Sequence, residues 1–218
     1  MVRRILLQEE IGLCEIVKRD EGSSMVRIGV TGGMGSGKSV VCDLLRLHGI
    51  PVFDADLEAK QLNDTSPEVR EALIRHFGED LYEGDRLNRQ RFAKLIFNDK
   101  QNLAVANAVI HPVLARRFND WCSVQSRFTH VAIDAPVLFE AGFDAHVDTV
   151  VVVYSPKELR VKRVIERDRV NREKVEARMQ NQLPEEDKLQ RADHVIHNDG
   201  RHSLIAQVAD LLARLSFF

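Results

Sequence analysis

The residues with the clearest chemical meaning form one short run. Gly32-Gly33-Met34-Gly35-Ser36-Gly37-Lys38-Ser39 fills every fixed position of the pattern G-x-x-x-x-G-K-[ST]. Glycines in such a run keep Cβ atoms out of the way, so successive backbone N–H groups can turn inward as a nest for phosphate oxygens. Lys38 would then reach the β- and γ-phosphates as a point charge, and the Ser39 hydroxyl would ligate Mg²⁺. A nucleoside triphosphate is the ligand this pattern predicts, with contacts from Gly33, Met34, Gly35, Ser36, Gly37, Lys38 and Ser39.

Carboxylates follow where an α/β sheet would bring them to such a ligand. Pro51-Val52-Phe53-Asp54-Ala55-Asp56 is an apolar run ending in two acids, and open α/β sheets bind ligands beyond the carboxyl ends of their strands. Read as extended chain, the run puts Asp54 and Asp56 on one face and turns Ala55 away. A carboxylate beside a moving phosphoryl group can accept the proton of the attacking hydroxyl or help hold the metal. The competing use of either aspartate is to cap a helix from Leu57 onward. His130-Val131-Ala132-Ile133-Asp134 is a second apolar strand ending in an acid, and Asp134 is expected to support Mg²⁺ directly or through water.

Basic residues concentrate further on, at Arg160, Arg163, Arg167, Arg169, Arg172 and Arg178. Arg163 and Arg167 are four apart, share a helical face and can present two guanidinium forks to a triphosphate. The interleaved Glu158, Glu166, Asp168, Glu173 and Glu176 equally allow a salt-laced surface helix. From Arg167 to Pro184 no strong apolar stripe is visible, which suits a mobile lid that closes over ATP and excludes water.

The elements that must position these groups can be read from periodicity. Arg27–Thr31 is a short apolar strand, followed directly by the glycine loop and then by Val40, Val41, Leu44, Leu45 and Leu47 at helical spacing, with Gly49 and Pro51 as a stop. Thr149–Tyr154 is β-branched almost throughout and reads as a central buried strand. Ser155 and Pro156 are expected as N-cap and first residue of the next helix. His194-Val195-Ile196 is a last short strand, Asn198-Asp199-Gly200 a turn, and Leu204 to Leu215 a closing helix. Between Leu57 and about Arg127 the texture is charged and helical with no good strand, punctuated by Pro67, Gly78, Gly84 and Pro112. That length exceeds one crossover helix and predicts a helical insertion whose task is substrate recognition, with Arg89, Arg91, His111 and Arg117 as polar candidates.

The expected architecture is therefore α/β, a P-loop three-layer sandwich with a parallel sheet, a helical substrate-binding insertion and a lid. Its nucleotide-binding core takes 25–56, 128–168 and 191–218, the insertion 57–127 and the lid 169–190. Residues 1–24 read as an N-terminal extension, weakly ordered and dispensable, with Met25 as the natural start. The alternative is a packed helix carrying Ile5, Leu6, Ile11, Leu13 and Ile16 on one face.

Composition narrows the class. With 31 basic and 33 acidic residues among 218, the near-balanced charge argues against a general nucleic-acid or membrane-surface binder. Cys14, Cys42 and Cys122 are odd in number and widely spaced, which argues against a disulfide framework or zinc site and suits the reduced cytoplasm. No apolar run is long enough to span a bilayer.

Taken in order, these motifs resemble the dephospho-CoA kinase family. The resemblance runs from about Met25 to the C-terminus and rests on Thr31 to Ser39, Asp54-Ala55-Asp56, His111-Pro112, Asp134-Ala135-Pro136-Val137-Leu138-Phe139-Glu140, Arg163 with Arg167-Asp168, and Ala192-Asp193-His194-Val195-Ile196 with Asn198 and Gly200. Met34 stands where that family often has Ile, and Val40 where Thr is frequent. The resemblance implies ATP and Mg²⁺, phosphorylation of the ribose 3′-hydroxyl of dephospho-CoA, and a monomer or small homo-oligomer. It further implies Asp56 as the base, Lys38, Arg163 and Arg167 in catalysis, and Val40 and Asn198 as further nucleotide contacts. Asp54, Arg89, His111 and Glu140 fall on the substrate side, and Ser39 and Asp134 at the metal. Rival readings are another small-molecule P-loop kinase, for nucleoside monophosphates or shikimate, and a GTP switch. Against the switch, the chain has neither a D-x-x-G nor an N-K-x-D sequence.

Overall fold

The computed structural model describes residues 25–97 and 99–215; the expected extension over 1–24 lies outside them. The described residues form two compact units, one built from those up to Phe53 and from Val124 onward, the other from those within Asp54–Ser123.

In the first unit the strands are β1 (Val26–Thr31), β2 (Val52–Asp54), β5 (His130–Asp134), β6 (Thr149–Tyr154) and β7 (His194–His197). They lie in the order β2-β5-β1-β6-β7, and the β1–β5, β1–β6 and β6–β7 pairs are parallel. Strands buried on both faces need apolar residues throughout. Ile28, Val30, Ala132, Val151, Val153 and Ile196 face one side, where Val41, Cys42 and Leu45 of α1 (Lys38–Leu47) and Val208, Leu211 and Leu215 of α9 (Leu204–Leu215) cover them. Val131, Ile133, Val150 and Val152 point the other way and are buried too. His130 ends this core at its lower edge. Its Nδ1 meets Thr129 Oγ1 at 2.8 Å and its Nε2 meets the carbonyl of Leu215 at 3.3 Å, a pairing that suits a neutral ring donating from Nε2. Burial lowers its pKa, partly countered by the Leu215 carbonyl.

Beyond β6 run α6 (Lys157–Asp168), α7 (Arg172–Met179) and α8 (Glu185–Gln190). Pro156, expected as the first helical residue of α6, is instead its cap, with an extended ψ of 140°. That leaves Ser155 fully buried beneath the helix. The weak apolar signal after Arg167 conceals one anchor. Val175 of α7 is fully buried on Val161 and Val164 of α6, with Met34, Ile165, Val170 and Met179 packed around them.

The second unit holds α2 (Ala55–Thr65), α3 (Pro67–Phe77), a two-stranded ladder of β3 (Tyr82–Glu83) and β4 (Arg86–Leu87), α4 (Arg89–Phe97) and α5 (Lys100–Val124). The ladder was not legible as strand, because two residues per strand are too few for an alternating pattern. Its Gly84 (φ 60°) sits in the turn. Burial pushes the Tyr82 hydroxyl up to about 12. Pro112, read as a break, lies inside the continuous α5. Among the described residues no helix is long and apolar enough to cross a membrane.

Candidate active site

The loop from Gly32 to Gly37 joins β1 to α1, and two of its glycines are in the left-handed region, with φ of 81° at Gly35 and 90° at Gly37. A Cβ on Gly35 would stand 2.6 Å from the carbonyl oxygen of Arg160, so α6 backs directly onto the loop. Ser36 N–H donates to Gly33 O at 2.9 Å and closes the turn. The Ser36 hydroxyl is buried with no protein partner. In the first turn of α1, Val40 and Val41 N–H donate to the cap carbonyl of Gly37 at 3.0 and 3.4 Å, and the positive end of the helix dipole lies at the same place. Amides, an orphaned hydroxyl and Lys38 thus make a cradle that fits phosphate oxygens.

Parallel pairing sets Val30 of β1 opposite Asp134 of β5, so the strand-end carboxylate emerges beside the start of the loop. There Lys38 Nζ and Asp134 Oδ1 form an ion pair whose side chains are only 14% and 12% exposed. Ser39, one residue on, is exposed. A hydroxyl and a carboxylate are hard oxygen donors, the chemistry Mg²⁺ selects. Val40, also exposed, continues α1.

The two arginines expected side by side at the triphosphate are each engaged elsewhere. Arg163 braces the back of the loop. Its Nη1 donates to Ser155 Oγ at 3.1 Å and to Gly35 O at 3.4 Å, and its Nη2 to Asn198 O and Oδ1 at 3.2 Å. Asn198 in turn donates through Nδ2 to Ser36 O at 2.7 Å. Arg167 is exposed and paired with its neighbour Asp168 at 2.7 Å. Arg167 and Arg178 together hold the Asp168 carboxyl down to about 2. Glu140, expected on the substrate side, accepts Leu183 N–H at 2.8 Å and pairs with the buried Lys188 at 3.2 Å.

In the second unit the extended reading of Asp54-Ala55-Asp56 is corrected. The strand stops at Asp54 and Ala55 already begins α2, so the two aspartates do not alternate along a strand. Asp54 Oδ1 accepts Leu57 N–H at 2.9 Å as the helix cap, while Asp56 is exposed in the first turn. Arg89 pairs with Asp64 at 3.0 Å. His111 is half-buried in α5, and burial lowers its pKa.

The sequence model of the dephospho-CoA kinase family matches residues 26–203. The chain belongs to that family. Dephospho-CoA kinase of Porphyromonas gingivalis is 41% identical over 86% of this chain and 93% of its own, and that of Bacteroides fragilis is 38% identical over 87% and 93%. A solved Thermus thermophilus protein, 36% identical, superposes with a TM-score of 0.78 over 88% of this chain and 99% of its own.

Several contacts around the phosphate loop of this kinase escaped the sequence reading. The Met34 N–H donates to Gln182 Oε1 at 2.9 Å. Glu185 accepts from the backbone of Gly33 and pairs with the buried Arg160 at 3.1 Å. Arg160 Nε also donates to Ser155 O at 3.0 Å. Burial raises the Glu185 pKa against the pull of Arg160 and Lys188. Lys188 Nζ donates to Pro136 O at 3.2 Å. Arg160 lay within a conspicuous arginine run, but Gln182 and Glu185 carried no local signal, since the loop residues they meet, Met34 and Gly33, are about 150 positions away.

Proposed function

We propose that this kinase transfers the γ-phosphoryl group of ATP to the ribose 3′-hydroxyl of dephospho-CoA, the last step of coenzyme A synthesis. One observation carries the nucleotide assignment: a glycine nest with a buried, orphaned hydroxyl lies beside the Lys38–Asp134 pair. Gly33, Met34, Gly35, Ser36, Gly37, Lys38, Ser39 and Val40, with Asn198, form the nucleotide site. Lys38 turns from Asp134 toward the phosphates when they enter. Ser39 and Asp134 would hold Mg²⁺, which when bound draws negative charge off the β- and γ-phosphates. In phosphoryl transfer the protein chiefly positions groups and stabilises charge. Arg163 contributes by fixing the loop, and Arg167 by neutralising charge once it leaves Asp168.

Asp56 is the base that takes the proton of the attacking hydroxyl. Asp54 is the weaker candidate, because its Oδ1 is committed to the Leu57 amide. Segment 57–127, with Arg89 and His111, receives dephospho-CoA, and 169–190 serves as the lid over ATP. The enzyme works in the cytoplasm as a monomer or small homo-oligomer, without nucleic acid or membrane as partner. The test is a panel of acceptors with labelled ATP and Mg²⁺, run on wild type and Asp56→Asn. Label should pass to dephospho-CoA and not to shikimate or nucleoside monophosphates. Asp56→Asn should bind ATP normally and lose about 10²- to 10⁴-fold in turnover, the range of a general base. Transfer to another acceptor, or turnover within about threefold of wild type, far short of that range, would reject the reading.

A further inference from the structure

Met34 is held on both sides, by α6 with α7 and by the segment that follows α7. Its N–H donates to Gln182 Oε1 at 2.9 Å, and its side chain packs against the cluster of Val161, Val164 and Val175 that seats α7 on α6. Gln182 is itself fixed, because the next residue, Leu183, donates its N–H to Glu140 at 2.8 Å. A loop that binds only phosphate has no need of an apolar residue turned away from the ligand, nor of a side-chain acceptor for one of its amides.

We propose that Gln182 is a positioning residue that couples the phosphate loop to segment 169–181 through Met34. This rests on the nucleotide assignment made above. Phosphates that draw on the Gly33–Ser36 turn move Met34, and Met34 carries that movement to Gln182 through its amide and to Val175 through its side chain. The docking of α7 on α6 and the grip on the nucleotide are then two readings of one equilibrium, so each ligand-induced change at the loop must appear in α7. Gln182 touches no reacting atom and acts only through Met34.

The experiment compares wild type with Gln182→Met, which keeps the length but has no acceptor oxygen, and Gln182→Glu, which keeps the oxygen. ADP binding is measured by calorimetry, and proteolysis within 169–181 is followed with and without saturating ADP. Wild type should be cleaved several-fold more slowly with ADP. In Gln182→Met the ADP Kd should rise about tenfold, in line with one hydrogen bond lost and a donor stranded. The slowing of cleavage by ADP should disappear. Gln182→Glu should recover the slowing, which a merely supportive role would not require. Gln182→Met with Kd within twofold and cleavage still slowed by ADP would overturn the coupling, even if its Tm had fallen. Wild type that failed to bind ADP would overturn the nucleotide assignment, and the coupling with it.

Discussion

Replacing Asp134 by Asn separates the ion pair this carboxylate makes with Lys38 from the metal-supporting role proposed for it. Without nucleotide, Asp134 neutralises Lys38 in a site where both side chains are at least 86% covered. Removing one member of a buried ion pair costs about 3–5 kcal/mol. The residual exposure and the amide oxygen that Asn retains bring this down to about 2 kcal/mol. For a chain of this size that is a fall of about 4–8 °C in Tm. ATP reverses the sign. On the proposed mode of binding, the phosphates in wild type must take Lys38 from Asp134, whereas in the variant they meet an ammonium that this carboxylate no longer holds. With EDTA present, ATP should therefore raise the Tm of Asp134→Asn by more than it raises that of wild type. Turnover with Mg²⁺ should fall by about 10²-fold or more, the scale of a lost transition-state charge contact. Thermal scans with and without ATP in EDTA, beside a coupled ADP-release assay, measure all three. An unchanged Tm, or weaker metal-free ATP binding in the variant, would refute the competition for Lys38.

Arg163→Ala removes four hydrogen bonds to Ser155, Gly35 and Asn198, so it should lower Tm and weaken ATP binding together, by about tenfold or more in Kd at roughly 1.5–3 kcal/mol per bond to a charged group. Arg167→Ala touches only an exposed pair and should leave Tm within about 0.5 kcal/mol equivalent. Its turnover should drop by about 10³-fold with little change in ATP binding; equal effects of the two variants on Kd would contradict this division. His130 has a folded pKa below its ordinary 6.5, so the unfolded chain binds the proton more readily and stability is lost as pH falls through 6.5 toward the folded value. Tm in a pH series should fall over that interval less steeply in His130→Gln than in wild type, and parallel curves would exclude His130 as a cause.

The sheet was readable because its strands are short apolar runs whose character does not depend on partners, as Thr149–Tyr154 illustrates. Strand order was not, since nothing local says that β5 lies between β1 and β2. Within the site, the loop and Asp134 follow from one pattern and one strand end. Arg163 and Arg167 were read as a pair on helical spacing alone. Spacing fixes the face of a helix but not which acceptor lies within reach, and Ser155, Asn198 and Asp168 decided that. For Asp54 and Asp56 the extended alternative fails at one boundary, because a helix starting at Ala55 makes Asp54 the cap, the other use the sequence had left open.

The bond from Asn198 Nδ2 to Ser36 O spans 162 positions of the chain. During synthesis the glycine motif therefore leaves the ribosome long before the side chain that completes its support. A nascent chain, or one cut short before β7, carries the whole signature yet lacks the Asn198 support for the pocket it names. The support of this loop is accordingly completed late in synthesis, by a residue in about the last tenth of the chain.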